Sequence, residues 1–311
     1  MGERLRVGLP RALLYYWYAP AWEAFLAGLG FDPVVSPPTN KELLALGLRA
    51  ALDEVCLPVK LFLGHAAYLA ADCDVLLVPH LVSVERGAFT CPKFMGLPDL
   101  VRQALPGLKT VVATVDVKGG AAWEAAAREI AAGLGGGRAG AARAWARARA
   151  RQAGYEEDLR GGRLPGLGPP RGNGPVLAVL GHPYCLYDSF INMNLLPRLA
   201  SMGCRAVTPE MLPGEAISQG LAELPKELFW TFGRKQIGAA YHLLDGGRCR
   251  GVIHTTAFAC GPESLVGELI ERAAARRRIP LLRLHLDEHT GEAGFLTRLE
   301  AFLDMIGRRR A

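Results

Sequence analysis

Asp74-Val75-Leu76-Leu77-Val78-Pro79 is a short apolar run closed by proline, and it reads as a buried strand. Beyond it runs Val84-Glu85-Arg86-Gly87-Ala88-Phe89-Thr90-Cys91-Pro92-Lys93-Phe94-Met95-Gly96-Leu97-Pro98, after which a helix opens at Pro98-Asp99. Cys91 therefore falls on a strand-to-helix loop, the place where a doubly wound sheet carries its chemistry.

The same alternation extends to both sides. Residues 6–9, 33–36 and 110–115 read as strands, and residues 12–29 as a helix that Pro20 must kink or break. Thr39 or Asn40 caps a helix that runs to Glu54, and Pro58 starts the next, over 59–71, leaving Cys56 in the break. In the second half, 176–180, 205–208, 251–255 and 281–286 read as strands, and 191–202, 230–244, 263–276 and 295–306 as helices. Between the halves, 119–174 is Ala/Arg-rich with helices over 122–132 and 139–153, then a Gly, Pro and Arg-rich linker over 161–174. The expected fold is α/β: two Rossmann-like, doubly wound parallel-sheet domains, 1–118 and 175–311, joined by a helical connector, 119–174. Gly133-Leu134-Gly135-Gly136-Gly137 fits neither a dinucleotide fingerprint nor a P-loop, because no strand feeds it.

Bulk properties narrow the function classes. With 311 residues, half of them hydrophobic, the chain can bury two cores. No apolar run approaches the ~18 to 20 residues of a membrane span, and the start at Met1 runs straight into a strand, so a cytoplasmic protein is expected. Seven cysteines without one Cys-x-x-Cys pair argue for reduced thiols rather than disulfides. The net charge of +6 is concentrated in Arg138, Arg143, Arg147, Arg149 and Arg151 and in Arg308, Arg309 and Arg310. No aromatics interleave with these arginines, so they read as a solvated helix face and not as a nucleic-acid site.

Three cysteines stand beside prolines: Cys56-Leu57-Pro58, Cys91-Pro92 and Cys260-Gly261-Pro262. Proline recurs beside ligand cysteines in ferredoxin-type runs, where it shapes the backbone. On residues alone, the commoner role of each is that of a small buried hydrophobe. Cys73, Cys204 and Cys249 read as packing residues, while Cys185 is either a fourth ligand or a bystander. Lys60 and Lys93 lie two to four residues past such cysteines, where their charge would offset thiolates unless they are simply exposed. His182 and Tyr184 follow a strand end and are candidates to donate to a substrate or to cluster sulfur. Asp287, Glu288, His289 and Glu292 form an acidic loop suited to proton transfer or a second metal; alternatively they cap the last helix and pair with Arg298.

Leu9-Pro10-Arg11-Ala12-Leu13-Leu14-Tyr15-Tyr16, Ser36-Pro37-Pro38-Thr39-Asn40-Lys41-Glu42, Cys56-Leu57-Pro58-Val59-Lys60, Cys91-Pro92-Lys93-Phe94 and Gly96-Leu97-Pro98-Asp99 together resemble the acyl-CoA dehydratase activase-related proteins. The second half adds Gly181-His182-Pro183-Tyr184, Ile191-Asn192-Met193-Asn194, Cys260-Gly261-Pro262-Glu263-Ser264 and Asp287-Glu288-His289-Thr290-Gly291-Glu292-Ala293-Gly294. That family is similar to the cluster-bearing subunits of 2-hydroxyacyl-CoA dehydratases and benzoyl-CoA reductases. The resemblance implies Cys56, Cys91 and Cys260 as ligands of a [4Fe-4S]-type cluster, with one iron lacking a protein thiolate. At Cys185 the chain departs from the family's more usual Asn.

The implied function is low-potential electron transfer with an acyl-CoA as candidate acceptor, as a dehydratase-like lyase or a reductase component. Two other readings stay open: a non-catalytic module that docks to or is matured with a separate activase ATPase, and a zinc-thiolate structural protein. Longer relatives carry ATPase modules with an Asp-x-Gly-Ser/Thr loop, whereas Asp116-Val117-Lys118-Gly119-Gly120 lacks the hydroxyl. An ATP-dependent activase or other electron donor would then be a separate partner, and a homo- or hetero-dimer, a soluble setting and no nucleic acid are expected.

Overall fold

The computed structural model describes residues 4–112, 114–119, 122–163 and 174–308. The chain divides into two units, 1–157 with 229–231 and 158–228 with 232–311, each carrying its own parallel sheet. Alternating parallel strands and helices make both units Rossmann-like α/β structures, as the sequence pattern implies.

In the first unit, β1 (Arg6–Leu9), α1 (Tyr15–Gly28), β2 (Asp32–Val35), α2 (Lys41–Ala50), α3 (Leu57–Leu69) and β3 (Val75–Leu77) open the fold. They are followed by β4 (His80–Ser83), α4 (Pro92–Met95), α5 (Leu97–Ala104), β5 (Thr110–Val111), β6 (Thr114–Asp116), α6 (Ala122–Gly133) and α7 (Arg138–Arg160). The sheet runs β2-β1-β3-β5, and β4 pairs with β6 in a second parallel ladder. Asn40 caps α2 by accepting the Leu43 N–H at 3.0 Å, satisfying one of the helix's orphan donors.

Two local expectations change. Pro20 does not interrupt α1, which continues through it. The missing proline N–H would orphan the Tyr16 carbonyl, and the Tyr155 hydroxyl on α7 donates to that oxygen at 2.9 Å. The helix expected at Pro98-Asp99 is present as α5, from Leu97, but a separate short helix, α4, precedes it from Pro92, so Cys91 is itself the residue that caps α4. A proline in the first turn gives up no hydrogen bond, which is why both Pro92 and Pro98 are accommodated at helix starts.

The Ala/Arg-rich helices α6 and α7 are bound to α1 through an aromatic cluster. Trp123 stacks on Trp145 with ring centroids 6.1 Å apart, and Trp22 lies 6.1 Å from the first and 6.2 Å from the second. The unit boundary falls near the end of α7, inside the 119–174 stretch. Of the linker expected over 161–174, residues 164–173 lie outside the described residues, as do Arg309 and Arg310 of the terminal basic run.

The second unit comprises β7 (Val176–Leu180), α8 (Pro183–Tyr187), α9 (Leu195–Ser201), β8 (Arg205–Val207), α10 (Gly214–Leu221), α11 (Thr231–Leu244), β9 (Gly251–Ala257), α12 (Gly261–Arg276), β10 (Leu281–Leu286) and α13 (Glu292–Arg308). Its sheet order is β10-β9-β7-β8, all parallel. Every residue of β9 is buried, as expected for a central strand covered on both faces. The helix expected over 191–202 is confined to α9, because Met193 and Asn194 hold positive φ and break the helical path.

Among the described residues, no helix is long and apolar enough to cross a membrane.

Candidate functional site

In the second unit, β7 is flanked by β8 on one side and β9 on the other, so the connections leaving β7 and β9 diverge at a topological switch point. Gly181 ends β7 with a φ of +158°, and a Cβ there would meet the Thr255 hydroxyl oxygen at 2.2 Å. Only glycine lets the chain pass so close to β9. His182 follows as the N-cap of α8, and Cys260, past the carboxyl end of β9, caps α12.

Between them lies Glu263, at the third position of α12 and 1% exposed. Both of its oxygens are occupied. His182 Nδ1 bonds Oε2 directly, Gln236 on α11 donates to the same oxygen at 3.1 Å, and His254 Nε2 on β9 donates to Oε1 at 2.7 Å. Burial alone would push the Glu263 carboxyl up, but the adjoining His182 and the His254 bond override it and hold it well below the usual carboxylate range. Gly267 makes room for this arrangement, since a Cβ there would meet the His254 ring at 2.9 Å. The His182 ring stacks on Tyr184 with centroids 5.0 Å apart and meets the edge of Phe232. One nitrogen of His182, the Cys260 sulfur and one oxygen of Glu263 all lie within 4.8 Å of one another.

In the first unit, Cys56 caps α3 and Cys91 caps α4, both in extended backbone with a proline in the following turn. Burial pushes the Cys56 thiol up, with Lys93 and the Val59 amide pulling it back. Cys91 is also pushed up by burial; the Phe94 amide opposes the rise and Cys56 adds to it, so the two sulfurs sense each other. Thiols this protected ionise when a metal cation supplies the charge, and a soft metal suits such donors. Lys93 also donates to the Glu54 carbonyl at 3.4 Å, and Lys60, 5% exposed, is a buried lysine on α3.

Of the other residues singled out by sequence, Tyr184 and Cys185 are buried in α8. Glu292 opens α13 and pairs with Arg198, not with Arg298, which donates to the Arg283 carbonyl instead. Cys204 and Cys249 are buried and Cys73 half-buried, and none of the seven cysteines forms a disulfide. Sequence reading gave no role to Glu263, His254 or Gln236. The available signals were a histidine that follows the apolar residues Val252 and Ile253 in a strand and a glutamate three residues past the capping cysteine.

The family model described as CoA enzyme activase uncharacterised domain (DUF2229) matches residues 6–212. None of the curated proteins matches the chain.

Proposed function

We propose that this chain, which belongs to the family of the CoA enzyme activase uncharacterised domain, is an iron–sulfur protein with Cys56, Cys91 and Cys260 as its thiolate ligands. The supporting observation is that these three cysteines each cap a helix with proline in its first turn, whereas none of the other four caps a helix. A sulfur at a helix N-terminus faces unpaired amides and the positive end of the helix dipole, which stabilise a thiolate and hydrogen-bond cluster sulfur. In the first unit Lys93 adds a full positive charge beside both thiols.

A bound cluster of this kind supplies low-potential one-electron transfer, and an iron without a thiolate can act as a Lewis acid toward an acyl-thioester oxygen. The chain's own residues hold the sulfurs, balance their charge and keep water from them. Electrons would come from a separate ATP-dependent activase or another donor in a reducing, cytoplasmic setting. A second reading, a zinc site in the second unit, is favoured by the His182, Cys260 and Glu263 donor set.

Purification without oxygen, followed by iron, sulfide and zinc analysis, tests the proposal. The expected result is a brown protein with matched iron and sulfide, and iron lost in Cys56→Ser, Cys91→Ser and Cys260→Ser. Colourless protein with one zinc per chain would replace it with the second reading.

A further inference from the structure

We propose that residues 229–231 form a strap that positions Cys91 for metal binding, acting through Phe89, with the Thr231 N–H as its principal bond. Resting on the iron–sulfur reading, this makes Cys91 a ligand whose placement depends on a residue 140 positions further along the chain. Residues 229–231 belong to the first unit, as Cys91 does. Trp230 pairs with Phe89 in an isolated parallel bridge. Both backbone groups of Phe89 are engaged there: its N–H donates to the Phe229 carbonyl at 2.9 Å, and its carbonyl accepts the Thr231 N–H at 3.0 Å. The Phe89 and Phe229 rings stack with centroids 4.7 Å apart.

The bonds around Phe89 are of a different kind. Glu85 bridges Ala88 across Gly87, whose φ is +74°, and the Ser83 hydroxyl donates to the carbonyls of both bridge residues. Thr90 returns to β4, its N–H on the Val82 carbonyl at 3.0 Å and its hydroxyl on the Leu81 carbonyl. The Cys91 carbonyl then accepts the Phe94 N–H at 3.0 Å as α4 begins. These neighbouring bonds fold the loop back on β4 and set its shape. The strap adds an anchor from outside that hairpin, two residues before the sulfur, where a ligand must be held to about 0.5 Å.

Within the strap the backbone makes the contact. Thr231 is the first residue of α11, a position whose N–H has no acceptor inside its own helix, and the Phe89 carbonyl supplies one. The buried Thr231 hydroxyl has no hydrogen-bond partner. Removing that hydroxyl should therefore be silent, whereas removing the N–H should free the loop.

The test compares the full chain with Thr231→Pro, Thr231→Ala and Phe229→Ala. Proline at the first helical position is compatible with α11 and lacks the N–H, and Trp230 before it is already a bridge residue with the extended backbone that proline favours. Alanine removes the hydroxyl and keeps the N–H. Phe229 is 56% exposed, so its truncation spares the core. In metal-free protein, amide exchange at Phe89 and alkylation of Cys91 by iodoacetamide are followed, with Cys56 as the internal reference. Both should quicken about 3- to 10-fold in Thr231→Pro and Phe229→Ala, the range for one lost hydrogen bond or one lost ring stack, and stay at the wild-type rate in Thr231→Ala.

In protein prepared without oxygen, Thr231→Pro and Phe229→Ala should release iron to a chelator faster by a similar factor. They should also alter the electron paramagnetic resonance spectrum of the reduced cluster, with Thr231→Ala like the wild type. Cys91 alkylation unchanged in both variants, or iron released at one rate by all four proteins, overturns the strap and leaves the iron–sulfur reading standing. Quickened Cys91 alkylation in protein that binds neither iron nor sulfide overturns that reading and keeps the strap's hold on the thiol. Thr231→Ala behaving like Thr231→Pro overturns the assignment to the N–H. Circular dichroism and thermal melting separate a displaced loop from a lost fold, and if Thr231→Pro does not fold, Phe229→Ala decides.

Discussion

The two units share one sheet plan and fill its switch point in opposite ways. In the first, strands run β2-β1-β3-β5; in the second, β8-β7-β9-β10, which is the same order, 2-1-3-4, when only the strands of each four-stranded sheet are counted. Between β7 and β9 the space holds Glu263 with its two histidines and Gln236. Between β1 and β3 it is an apolar cavity of about 40 Å³, lined by Leu9, Leu13, Tyr15, Leu77, Pro79 and Phe94 among others. Topology fixes where a site can be, and a handful of side chains decide whether it is polar.

The largest expected contrast comes from deleting one member of each filling. Glu263→Ala strands buried donors on three side chains and should lower stability by about 3–5 kcal/mol. Leu77→Ala, at a fully buried apolar position, should cost a comparable ~2–5 kcal/mol by enlarging a cavity. Their pH dependence should differ. The Glu263 carboxyl is held below its unfolded value of 4.5, so its contribution is complete above that pH and lost as pH falls. Urea unfolding at a series of pH values should show the Glu263→Ala deficit shrinking below about pH 4.5, with the Leu77→Ala deficit unchanged.

A histidine in each unit sharpens the comparison. His254 faces a carboxylate, whereas His65 is fully buried between two hydroxyls, Ser36 at 2.7 Å and Thr39 at 3.0 Å. Burial, aided by Arg11, lowers the His65 pKa from 6.5 to about 3. The folded value lies below the unfolded one, so stability is complete above pH 6.5 and drains as pH falls toward 3. The slope should approach ~1.4 kcal/mol per pH unit. Proton NMR should find the His65 ring still neutral well below pH 6.5 and protonating only toward about 3; titration near 6.5 would mean the ring is solvated.

Close approach also separates the units. Gly181→Ala drives a methyl into Thr255, at 2.2 Å from its hydroxyl, and should cost about 1–3 kcal/mol and disturb the His182 cap. Gly87→Ala, in the Cys91 loop with a φ of +74° and nothing within 4 Å, should cost only the left-handed strain of ~1–2 kcal/mol. Thermal melting of the two variants ranks them.

The sheet strands were legible because buried parallel strands are near-continuous apolar runs, as in 176–180 and 281–286. The capping cysteines were legible from the prolines that follow them, and from a resemblance carried by many separate motifs. The polar core of the second unit was not. Glu263 looks like any first-turn glutamate until a strand nine residues upstream sets His254 against it, and Gln236 reaches it from another helix. Pro20 misled for the same reason: its consequence depends on a hydroxyl 135 residues further along, at Tyr155, which rescues the carbonyl it orphans.

The smallest effect marks the edge of the polar site. Glu292 sits at the start of α13 with its carboxylate 63% exposed and Arg198 as its partner. An exposed pair of this kind contributes about 0.2–1 kcal/mol, because water screens it and two long side chains must be ordered to form it. Neither residue bonds Glu263 or its donors. Glu292→Gln should therefore lower the unfolding free energy obtained from urea titration by no more than that amount. A loss approaching that of Glu263→Ala would couple the acidic loop to the polar core and return Glu292 to the candidates for its chemistry.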